Sequence, residues 1–211
     1  KIPGLFPESN IVTYGIDNFA NVTAKDITVT NLYVDFKVKI TDRNERIKVG
    51  IPGRFSVYNS LAAICVAKKL GISPEVIKEA LLEVRVPGRS ELVDNKMELP
   101  IMIDYAHSPE SLQNILQAVK SYTRGKVISV FGCGGDRDSG KRPIMGEISG
   151  RIADFTIITS DNPRTEDPQK IVDQIEEGIK KTKGNYKVVV DRVEAIKEAM
   201  KMATKRDLIV L

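Results

Sequence analysis

Arg137 and Arg164 carry the most definite chemistry in this sequence. Each is a planar, permanently charged fork of donors set in a loop of glycine, proline and acidic residues. Arg164 lies in Ser160-Asp161-Asn162-Pro163-Arg164-Thr165-Glu166-Asp167-Pro168. Pro163 and Pro168 stiffen that stretch, and an arginine held there can engage a carboxylate through two parallel hydrogen bonds. The same residues also read as a turn whose Asp167 caps the next helix. Arg137 lies in Gly135-Asp136-Arg137-Asp138-Ser139-Gly140-Lys141-Arg142. This stretch nearly fits the phosphate-binding pattern G-x-x-x-x-G-K-[ST]. Arg142 replaces the hydroxyl residue that would hold magnesium, and Asp136 and Asp138 would repel phosphate. Two further readings stay open: a glycine-rich strand-to-helix connection, and a substrate loop that displays Arg137 toward an anion.

A third stretch is Asp104-Tyr105-Ala106-His107-Ser108-Pro109-Glu110. Asp104 ends an apolar strand, where α/β proteins contact ribose hydroxyls. His107, the only histidine, stands just ahead of a Ser-Pro helix start whose free N–H groups favour anions. The plainer alternative is a well-capped helix with an incidental histidine.

The elements that must position these residues are legible as hydrophobic patterns. Up to about residue 85 the pattern predicts strands at Asn10–Tyr14, Ile27–Val29, Leu32–Ile40 and Arg46–Ile51. Helices follow at Phe55–Leu70 and Ser73–Val84. After Val86-Pro87-Gly88-Arg89, apolar strands alternate with helices. The strands are Ile101–Tyr105, Val127–Phe131, Phe155–Thr159, Tyr186–Val190 and Leu208–Leu211. Helices at Pro109–Tyr122, Lys141–Ala153, Pro168–Lys181 and Val193–Thr204 lie between them. This order predicts an α/β fold: a C-terminal, Rossmann-like parallel sheet with helices on both faces, preceded by a partial α/β central domain. The turn at Asp94–Leu99 puts the boundary between domains 1–95 and 96–211.

Composition narrows the class of function. The 211 residues carry a net charge of +4, but basic and acidic residues are interspersed and tryptophan is absent, which argues against nucleic acid. No apolar run approaches the roughly 20 residues of a membrane helix, and the first residues carry no secretory pattern. Cys65 and Cys133 lack metal-ligand spacing and read as free thiols in a reducing, cytoplasmic compartment.

Five segments, in order, connect these residues to a known family. They are Pro52-Gly53-Arg54-Phe55-Ser56-Val57-Tyr58-Asn59-Ser60-Leu61-Ala62-Ala63, Val86-Pro87-Gly88-Arg89, Asp104–Pro109, Gly134–Pro143 and Asp161–Arg164. Across essentially the whole chain they resemble the Mur ligase family, and within it the branch that adds meso-diaminopimelate in peptidoglycan synthesis. The resemblance implies an ATP-dependent amide ligase of three domains, of which this chain would hold the end of the central ATPase domain and most of the amino-acid domain. It implies that Asn59, Arg89, Asp104 and His107 meet ATP. It implies that Arg137, Asp161, Asn162, Pro163 and Arg164 meet meso-diaminopimelate.

The other substrate would be UDP-N-acetylmuramoyl-dipeptide. No catalytic or metal-binding residue is assigned within the chain. The true P-loop, the Mg2+ ligands and a carbamylated lysine are expected before Lys1, and a last site loop after Leu211. The isolated chain is therefore expected to be a non-catalytic binding domain that needs the missing N-terminal region. Ser56 departs from the asparagine of many relatives. Lysine-adding relatives typically lack the arginine of the Asp161–Arg164 motif, and a folylpolyglutamate synthase would lack the whole motif. A dinucleotide-binding dehydrogenase would need glycines where Asp104-Tyr105-Ala106-His107 stands.

Overall fold

The computed structural model describes residues 11–30, 32–40 and 42–211. The chain divides into two compact units, Lys1–Arg85 and Val86–Leu211. In the first, β1 (Tyr14–Gly15), β2 (Val22–Val29), β3 (Val34–Lys39) and β4 (Asn44–Val49) form a sheet in that order. β3 turns back into β4 as an antiparallel pair, as the alternation of Leu32–Ile40 predicts. That alternation buries Val34, Phe36 and Val38 on one face. The face packs with Val57, Leu61 and Ile64 of α1 (Arg54–Lys69) and Ile77 of α2 (Pro74–Glu83). Ser73 caps α2 by accepting from the Val76 N–H, with Pro74 at the first helical position.

Two expectations for this unit need correction. β2 begins at Val22 rather than Ile27, and its register shifts between Lys25 and Thr28 around a left-handed Asp26. A bulge of this kind breaks the period of two that reveals a strand. The strand expected from Asn10 starts in a residue outside the described set, and the ladder begins at Tyr14.

The second unit runs β5 (Glu91–Leu92), β6 (Ile101–Ile103), α3 (Pro109–Tyr122), β7 (Val127–Phe131), α4 (Lys141–Ile152), β8 (Phe155–Ile158), α5 (Pro168–Ile179), β9 (Tyr186–Val188), α6 (Arg192–Met202) and β10 (Leu208–Val210). The sheet order is β5-β6-β10-β7-β8-β9. β6 to β10 are parallel to their neighbours, and β5 pairs antiparallel with β6. That pairing, Glu91 opposite Ile103 and Leu92 opposite Met102, explains why the division falls at Arg85/Val86 and not at residue 95.

The placement of the helices follows from the handedness of parallel crossovers. The chain steps in one direction from β6 through β7 and β8 to β9, then jumps back to β10. Crossovers of one hand must put the returning helix on the opposite face. Thr156 meets Ser149 of α4 on one side, while its neighbour Ile157 packs with Ala195 and Ala199 of α6 on the other. β7, covered on both faces, is buried at every residue. The carboxyl ends of β6, β7 and β8 lead directly into the three stretches singled out above.

Candidate functional site

The loops after β7 and β8 are tied to each other at every level. The Gly135 N–H donates to the Asn162 carbonyl at 2.8 Å. The Asp136 N–H donates to Glu166 Oε1 at 2.6 Å. Asp136 returns the contact, its carboxylate accepting from the Thr165 hydroxyl at 2.8 Å and the Thr165 N–H at 3.2 Å. The Arg164 guanidinium donates through Nη1 to the Gly135 carbonyl. A Cβ at Gly135 would collide with the Pro163 carbonyl, so only glycine admits this approach. Asp136 and Arg164 are both left-handed, at φ 51° each. Such residues persist where the surroundings over-determine them.

Beneath the loops lies Arg142, whose side chain is 1% exposed. Its Nη1 and Nη2 each donate to one oxygen of Glu166 at 2.8 Å, a bidentate pair. Nη1 also reaches Gln174 Oε1 at 2.7 Å, and Nη2 the Gly134 carbonyl at 3.2 Å. The Arg142 guanidinium and then the Asp136 N–H hold the Glu166 carboxyl down at about 2, well below its ordinary 4.5. Asp138 accepts from the Gly140 N–H at 2.9 Å. Carboxylates therefore already occupy backbone donors that a phosphate would need, and the resemblance of this loop to a P-loop is superficial. Cys133, just past β7, is buried against Met145, and burial pushes its thiol up to about 11.

Arg137 is exposed, as are Asp161, Asn162 and Arg164, with Pro163 half-buried. The structure thus gathers the whole expected amino-acid group on two knitted loops. The expected nucleotide group is different. Arg89 lies over the Tyr105 ring at 4.3 Å, and the rings of Tyr105 and His107 meet edge to face at 4.9 Å. His107 Nδ1 lies 3.0 Å from the Tyr105 carbonyl, and Lys141 donates to the His107 carbonyl at 2.6 Å. Asp104 is already engaged: its Oδ2 accepts from the N–H and hydroxyl of Ser90, a buried left-handed residue beside Arg89. Asn59 is exposed on α1 in the first unit.

The roles of four residues escape the sequence reading. Tyr105 was inside a quoted motif, and its signal was an aromatic at the end of a strand. Ser90 and the Arg142–Glu166 pair gave no local signal, because their partners lie 14 and 24 residues away.

An open, largely parallel sheet with loops beyond its strand ends defines the class of α/β domain in which ligands bind at the carboxyl ends of the strands. Comparisons make this specific. Residues 88–211 match the model described as Mur ligase, glutamate ligase domain, and residues 6–67 match the Mur ligase middle domain. The chain belongs to the Mur ligase family.

The chain is 52% identical, over 97% of its length, to the UDP-N-acetylmuramoyl-L-alanyl-D-glutamate–2,6-diaminopimelate ligase of Caldanaerobacter subterraneus subsp. tengcongensis. It spans 42% of that relative. A solved structure of a UDP-N-acetylmuramoyl-L-alanyl-D-glutamate–2,6-diaminopimelate ligase superposes with a TM-score of 0.65 at 31% identity, over 99% of this chain and 44% of the other. Folylpolyglutamate synthase from Thermotoga maritima superposes with a TM-score of 0.66 at 23% identity, over 92% and 44%, and shares the fold.

Proposed function

We propose that this chain is the central-to-C-terminal part of a ligase that joins meso-diaminopimelate to UDP-N-acetylmuramoyl-L-alanyl-D-glutamate. In the complete enzyme, the γ-phosphoryl group of ATP passes to the substrate carboxylate. The diaminopimelate amine then attacks the acyl phosphate, forming the amide and expelling phosphate. The observation that carries this reading is the pair of knitted loops that present Arg137 and Arg164 at neighbouring strand ends. The named relatives supply the substrate, and Arg164 supplies a reason for choosing it.

Diaminopimelate differs from lysine by a second, distal carboxylate. Arg164 spends one Nη on Gly135, and its other donors have no protein partner among the described residues. They suit that carboxylate. Arg89 has the charge, and both Arg89 and His107 the exposure, to meet ATP; Asn59, exposed on the first unit, is assigned to ATP on the family resemblance alone. Asp104 acts through Ser90, so we assign it the placement of Arg89. The Mg2+ that the family resemblance implies is assigned to residues outside this chain. Both cysteines are free, which fits a cytoplasmic enzyme, and no described helix is long and apolar enough to cross a membrane.

A charge-assisted hydrogen bond contributes about 1.5–3 kcal/mol. The complete enzyme should therefore prefer diaminopimelate over lysine by on the order of a hundredfold in kcat/KM. Steady-state assays with both amino acids check this. Equal use of lysine would overturn the assignment.

A further inference from the structure

We propose that Glu166, gripped from below by Arg142, is the positioning residue that fixes the spacing of Arg137 and Arg164, and so sets selectivity for a dicarboxylic amino acid. This rests on the function proposed above.

The contacts close into a single ring. Arg142 holds both Glu166 oxygens, Glu166 Oε1 holds the Asp136 N–H, and the Asp136 carboxylate holds Thr165. Arg137 follows Asp136 in sequence and Arg164 precedes Thr165. The ring therefore contains the backbone neighbours of both arginines and neither arginine itself. It can set their separation without touching a ligand.

Packing alone does not explain the arrangement. Arg142 is fully enclosed, and its Nε is buried with no hydrogen-bond partner among the described residues. Glu166 is only half-buried, and an ion pair is weak evidence of a stability device whether exposed or buried. What it provides here is geometry. A bidentate fork fixes the plane and position of one carboxylate, and that carboxylate orders the loop above it. A displacement of about 1 Å in a positioning group can cost on the order of a hundredfold in rate. A pair of arginines that must grip two carboxylates is sensitive to such a shift.

The experiment uses the complete ligase with two substitutions of different severity. Glu166→Gln puts an amide NH2 against either an Arg142 nitrogen or both Arg142 and the Asp136 N–H. Thr165→Val removes one exposed hydroxyl from the ring and leaves the core intact. Steady-state constants are measured for diaminopimelate, lysine and ATP, with the thermal midpoint.

The expected result for Glu166→Gln is a loss of on the order of tenfold or more in kcat/KM for diaminopimelate, mostly through KM. The KM for ATP should stay within about twofold, and lysine use should change little, so that the preference ratio falls. Thr165→Val should shift the ratio the same way by about threefold, and Thr165→Ser should restore it. If Glu166→Gln does not fold, Thr165→Val decides alone. A ratio unchanged in a folded variant overturns the proposal, as does a proportional loss for all three substrates, which is what a merely structural role produces. Arg164→Ala separates the two readings. If it abolishes the preference while the ring variants leave it intact, only the positioning role fails. If it too changes nothing, the diaminopimelate assignment fails.

Discussion

Two regions at the strand ends of the second unit are built on opposite plans. The loops after β7 and β8 are cross-tied by charged and backbone hydrogen bonds, over an enclosed arginine and through a glycine that admits no side chain. The Val86–His107 region instead stacks exposed side chains, Arg89 on Tyr105 and Tyr105 against His107. Asp104 and Ser90 tie this exposed stack to the β5–β6 ladder behind it. Ring stacking tolerates tilt and sliding, whereas the cross-ties fix distance and angle. The first plan suits discrimination between similar amino acids, and the second suits a ligand held by charge and shape.

Matched glycine substitutions should expose the contrast most strongly. Gly135→Ala forces the two loops apart and should cost about 2–3 kcal/mol, as overpacking does. Gly88, also left-handed at φ 69°, has nothing within 4 Å of its would-be Cβ. Gly88→Ala should then cost only the conformational penalty of about 1 kcal/mol. Urea midpoints at unchanged m-value measure both. Equal costs would mean that the knitted loops yield as readily as the open region.

Acid offers a gentler way to open the ring. Glu166 is depressed to about 2 in the folded chain from an ordinary 4.5. Its contribution is fully present above 4.5 and is lost as the pH falls from there toward about 2. Hydrogen exchange at the Asp136 and Thr165 amides, compared at matched intrinsic rates, should lose protection across that window and not above it. The smallest effect is expected in the stacked region. Tyr105→Ala removes an exposed cation–π contact worth about 0.5–1 kcal/mol and should barely move the unfolding midpoint. A larger loss would show that the region is as tightly built as its neighbour.

What the sequence disclosed tracks how locally each feature is determined. The parallel strands were legible because β7 and β8 are short apolar runs bounded by turns, and Ser108, Asp167 and Asp191 cap the helices expected around them. β5 was not, since two exposed residues become a strand only by pairing with β6. β2 was half-read because its bulge breaks the alternation. At the site, Arg137 and the Asp161–Arg164 loop were visible by residue type and position. Arg142 read as the flaw in a phosphate loop, because an arginine is rarely enclosed unless paired and its partner lies in another loop. Asp104 stands out in the sequence as a carboxylate ending an apolar strand, yet its contact with Ser90 depends on the fold of Val86–Ser90, which no local pattern reveals.

The central claim is that Arg164, on a loop held rigid, makes this domain choose an amino acid with a second carboxylate. The measurement is the ratio of kcat/KM for diaminopimelate to that for lysine in the complete ligase, in wild type, Arg164→Ala and Arg164→Lys. Arg164→Ala should lower the ratio by on the order of a hundredfold while leaving the KM for ATP nearly unchanged. Arg164→Lys should recover little of it, because an ammonium cannot reproduce the planar fork. A ratio that stays at the wild-type value in Arg164→Ala would contradict the account.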